Sequence, residues 1–170
     1  MTSRSFTGLV LAAALLAPAA AAAQTSTGGS GFALGVLGGV EWGDDSGYSL
    51  RLDGEVPIVR ASPNLQLAGV VSVSYSGLDN DVSLLEAVGA ARLIYQANPQ
   101  FGGYGDLGLG FSRMNRPGDD GTGATMRIGL GAFYQMNRQV QFPLELMFHP
   151  RWGDEMDSTT TLMVGAKFRF

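Results

Sequence analysis

The chain has 170 residues, 45% of them hydrophobic, with 11 basic against 15 acidic residues, a formal net charge of −4 and no cysteine. The missing cysteines exclude a disulfide framework and a thiolate metal site. The acidic balance argues against nucleic acid, or an anionic surface, as a partner held by bulk electrostatics.

Read from its start, the sequence opens Met1-Thr2-Ser3-Arg4, runs apolar from Gly8 to Ala17, and reaches Ala21-Ala22-Ala23-Gln24. A positive start, a short apolar core and an A-x-A site define a secretory signal peptide, residues 1–23, cut after Ala23. The apolar run is too short and too alanine-rich for a membrane-anchoring helix, which needs roughly 20 strongly apolar residues. The mature chain from Gln24 has 147 residues, suits one domain, and carries a formal charge of −5 because Arg4 leaves with the signal. Residues 24–31, QTSTGGSG, read as a flexible leader.

From residue 32 to residue 170 the pattern is apolar alternation with a period of two, the signature of strands with one apolar face. It predicts eight strands, near Phe32–Trp42, Tyr48–Ile58, Leu65–Tyr75, Leu85–Tyr95, Gln100–Ser112, Ala124–Gln135, Val140–His149 and Thr159–Phe170. Each is close to the roughly 9 to 11 tilted residues that cross a bilayer. In the second strand Tyr48, Leu50, Leu52, Gly54, Val56 and Ile58 share a face, while Ser49, Arg51, Asp53 and Glu55 lie opposite. Three charges on one strand face suit the inner wall of a barrel surrounded by lipid and would be ruinous in a dry apolar core. A soluble ligand-binding barrel would show the reverse polarity. The expected fold is therefore all-β: an eight-stranded antiparallel up-and-down transmembrane β-barrel with a polar interior.

Aromatic residues fall on the apolar face at strand ends. Trp42, Tyr48, Tyr75, Phe111 and Phe148 lie at one end, and Phe32, Tyr95, Phe101, Tyr134, Phe142, Phe168 and Phe170 at the other, as two interfacial girdles. Tyr104 and Phe133 alone among the strand aromatics point inward in this register. With the leader in the periplasm, the outer connections read GDDSG, SGLDND, RMNRPGDDGTG and PRWGDEMDS, and the inner turns VRASPN, ANP and MNR. Every outer connection is acidic and no inner turn holds a carboxylate. Pro57 and Pro143, inside strands, mark bulges or strand ends.

Signal peptide, eight alternating strands, short turns and a last strand Leu162-x-Val164-x-Ala166-x-Phe168-x-Phe170 resemble the small outer-membrane barrel family that includes the OmpA transmembrane domain and OmpX. The resemblance implies insertion in the outer membrane of a Gram-negative cell. It also implies that Phe168 and Phe170 act as the signal read by the barrel-assembly machinery. Two departures stand out: no peptidoglycan-binding domain follows, and the outer loops look short for the projecting strands of adhesion-type relatives.

The interior face collects Glu41, Asp53, Glu55, Glu86, Asp106 and Glu145 against Arg51, Arg92, Arg127, Lys167 and Arg169. A lumen of eight strands is just wide enough for side chains to fill, so these charges are expected to pair and plug it, with Arg51, Glu86, Arg92 and Glu145 near mid-barrel. A narrow porin-like channel, opened by breaking one pair, is the alternative. His149, with Glu145 on its face and Ser158 beyond the loop, raises the lesser alternative of a lipid A-modifying enzyme. No segment matches such an enzyme's motif, and a hydrogen-bonded histidine at the barrel mouth is expected. Asp44, Asp45, Asp119, Asp120, Asp154, Glu155 and Asp157 are candidate ligands for divalent cations shared with lipopolysaccharide, without EF-hand spacing. Arg113, Arg116 and Arg151 in the same loops are candidates for lipid phosphates. The function read from these features is a non-enzymatic outer-membrane barrel contributing to envelope structure and surface interaction. It needs no cofactor or nucleic acid and is expected to be monomeric.

Overall fold

The computed structural model describes residues 31–153 and 157–170, with Asp119 described through its backbone alone. The signal peptide, the leader up to residue 30, and the loop acids Asp154 and Glu155 lie outside the described residues. Within them the chain is strand and turn throughout: β1 (Ala33–Trp42), β2 (Ser46–Ser62), β3 (Leu65–Leu78), β4 (Ser83–Gln96), β5 (Phe101–Arg116), β6 (Asp119–Gln135), β7 (Val140–His149), β8 (Arg151–Gly153) and β9 (Thr159–Arg169). All pairings are antiparallel, and β5 with β6 and β1 with β9 close the sheet on itself. Closure leaves no free barrel edge and pairs the backbone internally, as hydrocarbon demands.

Nine segments make eight walls, because β7 and β8 are one strand broken at Pro150. Phe148 pairs with Ile128 and Arg151 with Thr125, so the register against β6 runs through Pro150 without slipping. The Pro150 carbonyl still accepts the Met126 N–H at 2.9 Å.

Side chains sort as the alternation predicts. Leu52, Leu109, Leu130 and Val164 stand exposed on the outer wall, while the facing set of Arg51, Asp53, Arg92, Arg127 and Glu145 is buried inside. Phe32 stacks on Phe170 at 5.0 Å and Phe101 lies 5.2 Å from Tyr134 at the leader end; Tyr48 lies 6.5 Å from Tyr75 at the other. The girdle aromatics are outward, and Tyr104 and Phe133 are inward and buried. Tyr104 fits because its register partner is Gly131, and a methyl group on Gly131 would collide with the Tyr104 ring.

Three features depart from the sequence reading. The segment RMNRPGDDGTG is no irregular loop: β5 and β6 stay paired to Arg116 and Asp119, leaving a two-residue turn at Pro117-Gly118 in which Gly118 has a φ of 95°. Asp119 and Asp120 are therefore strand residues of a projecting ribbon, and the expectation of short outer strands fails there. Turn chemistry rich in Asp, Asn and Gly masked a hairpin whose tip, from Asn115 to Asp120, has no apolar alternation. Pro143 causes no bulge, since Gln141 pairs with Lys167 and Leu144 with Val164 in one register; the proline merely interrupts the β7–β9 ladder. Near Pro57 the expected irregularity does occur, with register shifts between Pro57 and Val59 and between Arg60 and Ser62.

Candidate functional site

The lumen carries two layers of charge. In the central layer β4 contributes Arg92, fully buried, whose guanidinium donates to both oxygens of Asp106 at 2.7 Å, to Glu55 at 3.0 Å and to Glu145 at 3.2 Å. Arg92 also lies 4.1 Å over the Tyr104 ring, whose hydroxyl donates to Glu145. Arg51 on β2 holds Asp53 at 2.9 Å and reaches across the lumen to Glu145; Lys167 on β9 donates to Glu55 at 2.7 Å. Arg127 on β6 donates to Ser72 at 2.5 Å and stands 3.4 Å from Asp106, in ionic contact without an aligned hydrogen bond. Four cations meet four carboxylates here. Arg51 to Glu145, Arg92 to Glu55 and Glu145, and Lys167 to Glu55 each join strands that are not neighbours, so the layer acts as a cross-brace as well as a plug.

The second layer lies toward the acidic end. Arg151 donates to Glu86 at 2.8 Å and to Glu41 at 3.0 Å, joining β8 to β4 and β1, and also to the Asp157 carbonyl at 2.9 Å. Thr125 donates to Glu86 at 3.0 Å, and Ser76 and Thr159 donate to Glu41. His149 sits between Glu86, 3.1 Å from Nδ1 but off the line of an N–H bond, and Thr161, 3.2 Å from Nε2. Beside this layer Leu78, Val82, Leu84 and Met114 form an apolar cluster under the β3–β4 turn.

Of the interior residues expected from sequence, Glu41, Arg51, Asp53, Glu55, Glu86, Arg92, Asp106, Arg127, Glu145 and Lys167 are all buried in these layers. Glu86 belongs to the second layer and not to the mid-barrel group. Arg169 is the exception. It is exposed at the leader-end rim, one step past the last position at which β9 is walled on both sides, and makes no ion pair among the described residues. Arg151 takes its place as the fifth interior cation, having been read as a loop residue. The signal was available: Glu145, Met147, His149 and Arg151 keep one period of two straight through Pro150.

Of the described loop acids, Asp45 and Asp157 both stand beside Arg116, Asp45 at 4.0 Å. Among the described residues no group of three or more His, Cys, Asp or Glu is placed to hold a metal ion. Asp45 accepts from Asn80 at 3.0 Å, Asp120 pairs with Arg113 at 3.0 Å, and Asp157 pairs with Arg116 at 2.5 Å. Asp44 is exposed. Arg113 and Arg116 thus face carboxylates of the same chain.

An all-antiparallel closed barrel, apolar outside and charged within, is the architecture of the outer membrane protein beta-barrel domain, and that family model matches residues 9–170. The chain belongs to this family. Its place is the outer membrane. No curated protein is significantly similar to it in sequence. Among solved structures it is similar to neisserial surface protein A, NspA, at 14% identity and a TM-score of 0.69, covering 84% of this chain and 100% of that one. It is also similar to Ail, the attachment invasion locus protein of Yersinia pestis, at 15% identity and a TM-score of 0.54, covering 83% and 97%. The outer membrane enzyme PagL matches at 13% identity and a TM-score of 0.57, covering 81% and 99%. At such identities the likeness is one of fold. One of these barrels is an enzyme, so membership in the family leaves chemistry to be argued from the residues.

Proposed function

We propose that this barrel is a non-enzymatic component of the outer membrane whose lumen is plugged by ion pairs and whose acidic end meets the cell surroundings. The observation that carries this reading is the Arg92 cluster. A buried guanidinium shared by three hydrogen-bonded carboxylates spans the lumen, and any ion passing through would have to part ion pairs that are shut away from water. The position of His149 supports the absence of catalysis. It is buried inside the barrel between Glu86 and Thr161, walled off from the acyl chains that a lipid-modifying enzyme must reach, and Ser158 is exposed elsewhere.

In this reading the signal peptide is removed after Ala23, the barrel-assembly machinery engages the last strand through Phe168 and Phe170, and both chain ends face the periplasm. The projecting β5–β6 ribbon and the acidic connections then face outward. There they contribute to envelope structure, meeting lipopolysaccharide through divalent cations that screen the exposed Asp44. In a planar bilayer the purified protein is expected to stay silent, and labelled lipid A is expected to keep its acyl chains. Stable openings would favour the narrow channel instead, and loss or gain of an acyl chain would overturn the non-enzymatic reading.

A further inference from the structure

The leader-end rim is charged in the opposite sense to the rest of the exposed surface. Arg60, Arg138 and Arg169 are all exposed there, and no Asp or Glu falls in residues 56–72, 93–105 or 128–144, which build the strand ends and turns of that rim. The three arginines occupy one arc. Going round the wall, the β6–β7 turn carries Arg138, β9 ends on Arg169, β1 follows, and β2 carries Arg60 between its two register shifts. The uncharged β4–β5 turn lies across the barrel.

Local geometry fixes this arc. Asn137 accepts the N–H groups of Gln139 and Val140 at 2.8 and 2.9 Å, an Asx turn that holds Arg138 at its tip. The Arg169 N–H donates to the Gln139 carbonyl at 2.8 Å, which locks the end of β9 beside that turn, and the Phe170 N–H donates to Phe32 at 2.9 Å, which locks it to β1. Below the arginines Phe168 and the stacked pair Phe32 and Phe170 face the lipid. Cations just outside an aromatic girdle stand at headgroup height, where long side chains reach phosphates while their stems stay in the apolar layer.

We propose that this arc is a binding surface for anionic phospholipid headgroups of the periplasmic leaflet, such as phosphatidylglycerol. The inference rests on the sidedness proposed above. It opposes what net charge alone would give, because an acidic chain should avoid anionic lipid. Each arginine near such a surface contributes roughly a fivefold preference.

The test is native mass spectrometry of the full barrel released from detergent with equimolar phosphatidylglycerol and phosphatidylcholine. Preferential retention of phosphatidylglycerol is expected, falling roughly fivefold per residue in Arg60→Gln, Arg138→Gln and Arg169→Gln, and unchanged in Asp79→Asn. Equal retention of the two lipids, or retention indifferent to the three variants, overturns the proposal. Sidedness is read separately from Asn98→Cys, expected to react with an impermeant maleimide only after the outer membrane is opened. Labelling in intact cells would refute the periplasmic source, and lipid preference in the spectrometer would then report a phosphate surface for the outer leaflet.

Discussion

The guanidinium of Arg92 grips the carboxylate of Asp106 in a two-pronged arrangement, Nε to Oδ1 and Nη2 to Oδ2, both at 2.7 Å. The two residues are direct register partners on β4 and β5. Planar, bidentate pairing of this kind is the strongest form of charged hydrogen bond and fixes orientation as well as distance. Arg92 consequently presents its remaining N–H groups to Glu55 and Glu145 on other walls, and the rest of the central layer is built on that orientation.

Removing the guanidinium takes the shared cation from three carboxylates in a closed lumen and leaves Asp106 only its ionic contact with Arg127. Arg92→Ala is expected to lower stability by about 3–5 kcal/mol, seen as a lower midpoint in urea unfolding followed by heat-modifiable gel mobility. Arg113→Ala, which breaks an exposed pair on the projecting ribbon, should cost less than about 1 kcal/mol and become silent in high salt. Similar losses for the two variants would contradict the distinction drawn between lumen and ribbon.

Glycine positions divide by what faces them. A methyl group at Gly131 would strike the Tyr104 ring, which in turn donates to Glu145, whereas nothing lies within 4 Å of the corresponding position at Gly89 on the outer wall. Gly131→Ala is expected to cost about 1–3 kcal/mol and Gly89→Ala to stay within about 0.5 kcal/mol of the parent. Equal effects in the same unfolding assay would mean that Tyr104 does not rest on Gly131.

Much of this was legible in the sequence, for a physical reason. Lipid on one side and a charged lumen on the other impose a strict period of two, so strand number, facing and nearly every interior charge follow from alternation alone. The misses fall where that contrast disappears. Asp119 and Asp120 lie at the tip of the β5–β6 hairpin, where polar residues follow one another and strand and loop look alike in sequence. Arg151 was hidden by Pro150, read as the end of a strand that in fact continues in register. Arg169 keeps the inward period but lies past the end of the walled lumen, and periodicity says nothing about height. Which cation meets which carboxylate depends on shear between strands, which no local pattern encodes.

Pro143 offers a test of the wall itself. Its register with β6 is intact, but the ladder to β9 is interrupted beside it, between the Gln141–Lys167 and Leu144–Val164 pairs. Pro143→Val supplies an N–H at similar volume and is expected to stabilise the barrel by about 1 kcal/mol. Slower amide exchange at Gly165 and Ala166 should accompany it. A loss of stability would show that the seam tolerates no side chain but proline's ring.

The second layer should respond to loss of its shared acceptor. Glu86 takes Arg151, His149 and Thr125 together, while Arg151 keeps Glu41. Glu86→Gln is therefore expected to destabilise less than Arg92→Ala, by about 1.5–3 kcal/mol, and to leave gel mobility of the folded barrel unchanged. A loss as large as that of Arg92→Ala would place the main brace in the outer layer.

The central claim is a lumen closed by ion pairs, and single-channel recording tests it most directly. Refolded protein in a planar bilayer should show no stable openings, while Arg92→Ala, confirmed as folded by heat modifiability, should conduct. Stable openings of the unmodified protein, unaffected by the Arg92 substitution, would contradict the account and make the barrel a channel.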